Sequence, residues 1–118
     1  MGLVDIKTTE WMLINWGRWA YVNRGLSLNY SSIEPFERMR SSSPPEPLIT
    51  DSEAIVVDEA VSALRVARPR EGDTLALYYI GGKTYRGLGR EVGRHHAVIA
   101  SLVDSGKMWV EGRIAGRF

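Results

Sequence analysis

The sequence predicts an all-α fold, a small helical domain, on three observations. Apolar residues recur at helical spacing in several segments. Capping and stop signals bracket those segments. No stretch alternates apolar with polar residues in the way a half-buried strand requires. The chain has 118 residues, 44% of them hydrophobic and 25% charged, which fits one globular domain large enough to bury a core.

The elements follow in order. The N-terminal helix is expected over 9–24, strongest from Thr9 to Asn23. Thr8 or Thr9 can serve as N-cap, Glu10 lies in the favoured first turn, and Gly25 follows the last. Met12, Leu13, Trp16, Trp19, Ala20 and Asn23 fall at helical spacing, mostly as core. Trp11, Trp16, Trp19 and Tyr21 cannot all face one way, so one or two of them should be exposed or meet a partner.

Composition then breaks between Leu26 and Thr50. The run SSSPPEP, within an exposed Pro/Ser-rich linker at 41–49, cannot be helix or central strand, because proline lacks the N–H donor and fixes φ. One helical turn is expected before it, after Pro35, anchored by Tyr30, Ile33 and Phe36.

A helical core is expected over 50–103. Its clearest member runs from Thr50 to Val66, where Thr50 and Glu53 form a capping box. Ala54, Val57, Val61 and Leu64 share one face, with Ala60 beside them, and Pro69 stops the helix. Asp51, Glu53, Asp58 and Glu59 read as a solvated face with favourable N-terminal charge rather than as a metal site. A shorter helix spans Asp73 to Ile80 and stops at Gly81-Gly82. An amphipathic tail covers 104–118, with Met108, Trp109 and Ile114 as the apolar residues of Lys107 to Phe118.

Residues 84–103 have the internal spacing of a helix-turn-helix: Thr84 to Val92, a turn at Gly93-Arg94, then His95 to Val103. Two helices crossing over a tight turn need a small residue at their close approach, supplied by Gly89. They also need a residue tolerant of positive φ in the turn, supplied by Gly93. Ile99 plugs the second helix into the core, and Leu88, Val92 and Leu102 are expected in the remaining apolar slots. Arg94 departs from the pattern, since an apolar residue often follows the turn glycine; its stem can cover the core edge while the guanidinium stays in water.

Such a unit places the start of its second helix in the DNA major groove. Here that sets His95, His96, Ala97, Ala100 and Ser101 nearest the bases. Arg86, Arg90 and Arg94 flank them as expected phosphate clamps, with Lys83 beside them. Charge distribution agrees. Residues 1–64 carry five Lys+Arg against nine Asp+Glu, a balance of −4, whereas 65–118 carry ten against five, a balance of +5.

Several chemistries are excluded or disfavoured. Without cysteine there are no disulfides, thiolate metal sites or cysteine nucleophiles, and adjacent His95 and His96 are poorly spaced to chelate one metal. Gly87-Leu88-Gly89 lacks the third glycine and the preceding strand of a dinucleotide fingerprint. Ser101, His95 and Asp104 on one short helix cannot align as a nucleophile triad. We therefore expect no enzyme activity, no cofactor and no metal. No apolar run is long enough to span a bilayer, and MGLVDIKTTE shows no basic region leading into an apolar stretch; a cytoplasmic setting is expected.

TLALYYIGGKTYRGLGREVGRHHAVIASL resembles the C-terminal DNA-binding region of bacterial sigma factors, which implies a sigma-region-4-like helix-turn-helix. More of the chain resembles the lambdoid-phage antitermination protein Q family, in the branch related to phage 21. The residues that carry this are WGRWAYVNRG, YSSIEP, ITDSEAIVVDEAVSAL, LALYYIGGKTYRGLGREVGRHHAVIASL and WVEGRI, in the family's order. The resemblance implies a phage or prophage factor that binds double-stranded DNA near a late promoter, loads onto RNA polymerase paused with sigma attached, and suppresses pausing and termination. The cysteines of the zinc-containing lambda branch are absent, so zinc is not implied. With polymerase as partner, Trp11 and Trp19 become candidates for the contact, since aromatics often anchor interfaces. Two alternatives stay open: a conventional helix-turn-helix repressor or activator, and an interaction adaptor that binds RNA.

Overall fold

The computed structural model describes residues 8–23 and 44–117. The turn expected after Pro35, residues 41–43 of the linker, and the ends of the chain lie outside these. Among the described residues the regular structure is entirely helical. The five helices are α1 (Thr9–Val22), α2 (Asp51–Ala67), α3 (Pro69–Gly81), α4 (Tyr85–Val92) and α5 (His96–Ile114).

Helix α3 is the hub and packs against all four others. It buries Leu75, Ala76, Tyr79 and Ile80. Helix α1 contributes Met12, Leu13, Trp16 and Ala20, and α2 contributes Ala54, Val57, Ala60, Val61 and Leu64. Leu88 of α4 and Ile99, Val103, Val110 and Ile114 of α5 complete one continuous core. Burial of side chains this size contributes about 1.5–3 kcal/mol each before the entropy of ordering them is counted.

The expected start signals are present. Thr8 caps α1 by accepting from the Trp11 N–H, and Thr50 with Glu53 closes the capping box of α2. At Gly17 the α1 backbone meets α3 so closely that a Cβ would collide with the Tyr79 carbonyl. Buried Asn15 fixes the chain entering α2: its Oδ1 accepts from the Leu48 N–H at 2.9 Å, while its Nδ2 donates to the Trp11 carbonyl at 3.0 Å. Residues 44–49 are thus tied down at their end, with Ile49 buried and Leu48 exposed.

Two boundaries differ from expectation. Helix α3 starts at Pro69, four residues before Asp73. Pro69 ends α2 and also occupies the first turn of α3, where a missing N–H costs nothing and a fixed φ is already helical. The expected break between the recognition helix and a separate tail over 104–118 is also absent: α5 runs unbroken for 19 residues. Gly106 lies near the expected break. In the fold it is buried in mid-helix, where an added Cβ would press on Leu75 at 3.0 Å and Leu64 at 3.2 Å. Close packing there offsets the ~1 kcal/mol that glycine costs a helix.

Candidate nucleic-acid interface

The edge formed by α4 and α5 is built by local rules. Thr84 caps α4 by accepting from the Gly87 N–H at 3.0 Å. The helix ends at Gly93, whose φ of 74° lies in the left-handed region that favours glycine. The Arg94 N–H then donates back to the Gly89 carbonyl at 2.8 Å, folding the turn tightly over α4. A Cβ at Gly89 would collide with the Arg94 carbonyl. The small residue is therefore required by the turn backbone, not by a second helix as the spacing suggests. His95 caps α5: its Nδ1 accepts from the Ala97 N–H at 3.1 Å.

Packing anchors this edge to the hub. Leu88 and Ile99 are fully buried, and the Tyr85 ring stacks on Tyr78 of α3 with centroids 4.7 Å apart. Val92 and Leu102 do not fill core slots: Val92 is exposed and Leu102 only half-buried, while Val103 takes the buried position. One residue along α5 turns a side chain about 100°, enough to exchange the two.

The outer surface carries the expected residues. Arg86, Arg90, Arg94, His95, Ala97 and Ser101 are exposed, and His96 and Ala100 are half-buried. Exposed Val98 lies among them, an apolar contact that spacing alone does not single out. A cleft of about 270 Å³ lies over the turn, lined by Arg86, Gly89, Arg90, Gly93, Arg94 and His96. Among the described residues no carboxylate lies within ion-pairing distance of these three arginines. The His96 imidazole is held below its ordinary value by partial desolvation and then by the charges of Arg86 and His95.

Lys83 does not line this cleft. It lines a separate cleft of about 320 Å³ between α1 and the end of α3, with Glu10, Ile14, Arg18, Pro45, Tyr78, Tyr79 and Gly82. Trp11 and Trp19 are each half-buried against the core rim, as is Tyr21, so none of the α1 aromatics stands fully in solvent. The Trp19 Nε1–H donates to Asp51 at 3.0 Å, and the buried Trp16 Nε1–H donates to Asp58 at 3.1 Å. Two acids of the supposedly solvated face of α2 therefore hold α1 in place. Sequence reasoning also misses the junction of α1, α3 and α5, where Glu10 accepts from the Tyr79 hydroxyl at 2.7 Å and from Lys107 at 3.1 Å. These partners lie 32 to 97 residues apart, beyond any local pattern.

No group of three or more His, Cys, Asp or Glu that could hold a metal occurs among the described residues, and no described helix is long and apolar enough to cross a membrane. A family model described as phage antitermination protein Q matches residues 6–116, and the chain belongs to that family. Curated proteins and solved structures yield no match.

Proposed function

We propose that this chain is a transcription antiterminator that recognises double-stranded DNA near a phage late promoter through α4 and α5, then remains with RNA polymerase and suppresses pausing and termination. Membership of the antitermination family supports the regulatory role. The observation that carries the DNA half is the outer surface of the turn: three arginines without carboxylate partners among the described residues, beside the first turn of a helix seated by Ile99 on the core. In this reading Ala97, Ala100 and Ser101 meet base edges, and His96 lines the cleft with the arginines. The arginines meet phosphates, which set register and affinity but not sequence. His95 doubles as the cap that starts the reading helix. The reading involves no catalytic step, cofactor or metal.

The polymerase contact is assigned to the α1 side. Trp11 and Trp19 present half-exposed edges there, and an aromatic already held by the fold loses little entropy when a partner covers it. Trp19→Phe keeps the packing but removes the indole donor; Trp11→Ala removes the edge. The test is terminator read-through in vitro with purified polymerase holoenzyme on templates with and without the DNA site. The full chain should raise read-through only where its site is present. Trp11→Ala should lose read-through while keeping DNA binding. Site-specific binding without read-through on any template would replace this reading with a conventional repressor or activator.

A further inference from the structure

We propose that the cleft over the α4–α5 turn is a discrete seat for one phosphate group, in which Arg86, Arg90 and Arg94 supply fixed charge and His96 supplies a proton-linked donor. The inference rests on the nucleic-acid reading above and adds a regulated site to it. Three guanidinium side chains lining one cleft of about 270 Å³ repel one another, and the described residues offer no anion to relieve it. Guanidinium forks match the oxygens of phosphate, whose tetrahedral arrangement points in more directions than the two oxygens of a planar carboxylate. Gly93 lines the cleft beside the arginines and carries no side chain to narrow it. A Cβ at Gly93 would meet nothing within 4 Å, which shows how open that side is.

His96 makes the seat pH-dependent. Arg86 and Arg90 from α4 and Arg94 from the turn line the same cleft as His96, and the His95 ring stacks on it at 4.3 Å between centroids. Glu91 and Asp104 do not line the cleft. With the cleft empty, desolvation and then the charges of Arg86 and His95 disfavour a proton on His96. A phosphate in the cleft reverses the local sign, so binding should draw a proton onto the imidazole, and affinity should rise as pH falls. The shared chemistry is a phosphate group, whether of a DNA backbone or free in solution.

The experiment follows the His96 ring protons by NMR through a pH titration of the full chain. It is run in chloride and in inorganic phosphate of equal ionic strength, with His95 resolved by comparison with His96→Gln. In parallel, affinity for a duplex carrying the site is measured between about pH 7.5 and 5.5. Phosphate should move the His96 titration up to or past the ordinary imidazole value of about 6.5. Arg86→Gln should shrink that movement. Duplex affinity should rise about three- to tenfold over the window, within the roughly tenfold per pH unit that one linked proton allows, and His96→Gln should flatten it. A phosphate-induced shift with pH-independent duplex binding assigns the seat to free phosphate. Duplex binding with no response of His96 to phosphate or to DNA overturns the seat and leaves the proposed function standing. A phosphate response without duplex binding keeps the seat and removes the proposed function.

Discussion

The α1–α2 side and the α4–α5 edge solve opposite problems with charge. On the first, acids are matched internally: Asp58 and Asp51 accept from two indoles, and Glu10 accepts from Tyr79 and Lys107. On the second, Arg86, Arg90 and Arg94 stand in solvent with no such partner among the described residues. One set of charges builds the scaffold, and the other is left for something outside the molecule. Geometry divides the same way. The scaffold is held by contacts between residues far apart in the chain, whereas the turn is set by Thr84, Gly89, Gly93 and His95 within a dozen positions.

Breaking each region at its glycine gives the largest effects. Gly17→Val should drive a side chain into the Tyr79 carbonyl and separate α1 from α3, costing about 3 kcal/mol or more and lowering the thermal midpoint of the whole domain. Gly89→Ile should also destabilise, by roughly 1–3 kcal/mol, and should abolish DNA binding because the turn cannot close. Both are read by thermal melting, with a binding assay for the second. A Gly89→Ile protein that melts and binds like the parent would refute the helix-turn-helix assignment.

The internal matching of acids is tested next. Asp58→Ala removes the acceptor of a fully buried indole N–H and should cost roughly 1–3 kcal/mol in denaturant titration. Asp51→Ala removes the acceptor of the half-exposed Trp19, where water can substitute, and should cost about 1 kcal/mol or less. Equal costs would erase the distinction between a buried and a rim anchor.

The arginines of the turn should behave in the opposite way. Arg86→Ala and Arg90→Ala should leave stability within about 0.5 kcal/mol, as expected of exposed side chains. Each should weaken specific and non-specific DNA binding alike and lower the salt slope by about 0.9 for every phosphate it neutralises. An unchanged slope for both would make them bystanders.

The smallest effect is spectroscopic and lies at the junction between the regions. Burial, then the neighbouring Tyr85, pushes the Tyr78 phenol up to about 12, and burial, then its hydrogen bond to Glu10, pushes Tyr79 higher still. Both folded values lie above the ordinary phenol value of about 10. Their contribution to stability is therefore complete below pH ~10 and is lost as pH rises through the folded values, because the unfolded chain ionises first. Phenolate absorbance should show the two rings titrating late while the fold persists. Early titration of both would mean that the junction is loose.

Those same contrasts explain what can be read from the chain alone. The capping box at Thr50, the buried face of α2 and the turn at Gly93 are encoded within a few residues, so spacing and residue type suffice. The arginines and His96 are legible as one surface because the helix-turn-helix fixes their relative positions. Lys83 lines a different cleft from the arginines because it precedes the Thr84 cap, on the side that faces α1. Pro69 misleads because one residue type serves two purposes: proline can end a helix or start one. Only the packed structure decides which.

The unbroken length of α5 has a mechanical consequence. A helix of 19 residues is a rod about 28 Å long. Its first turn carries the face proposed above to meet DNA; its last holds Arg113 over the Trp109 ring, 5.7 Å from the centroid, and buries Ile114 in the core. Ile99, Val103, Gly106, Val110 and Ile114 are buried along it, so the rod is seated on the core at both ends and in the middle. Whatever presses on its first turn therefore loads the whole domain, and the angle at which that turn stands out is set by the core rather than by the turn itself.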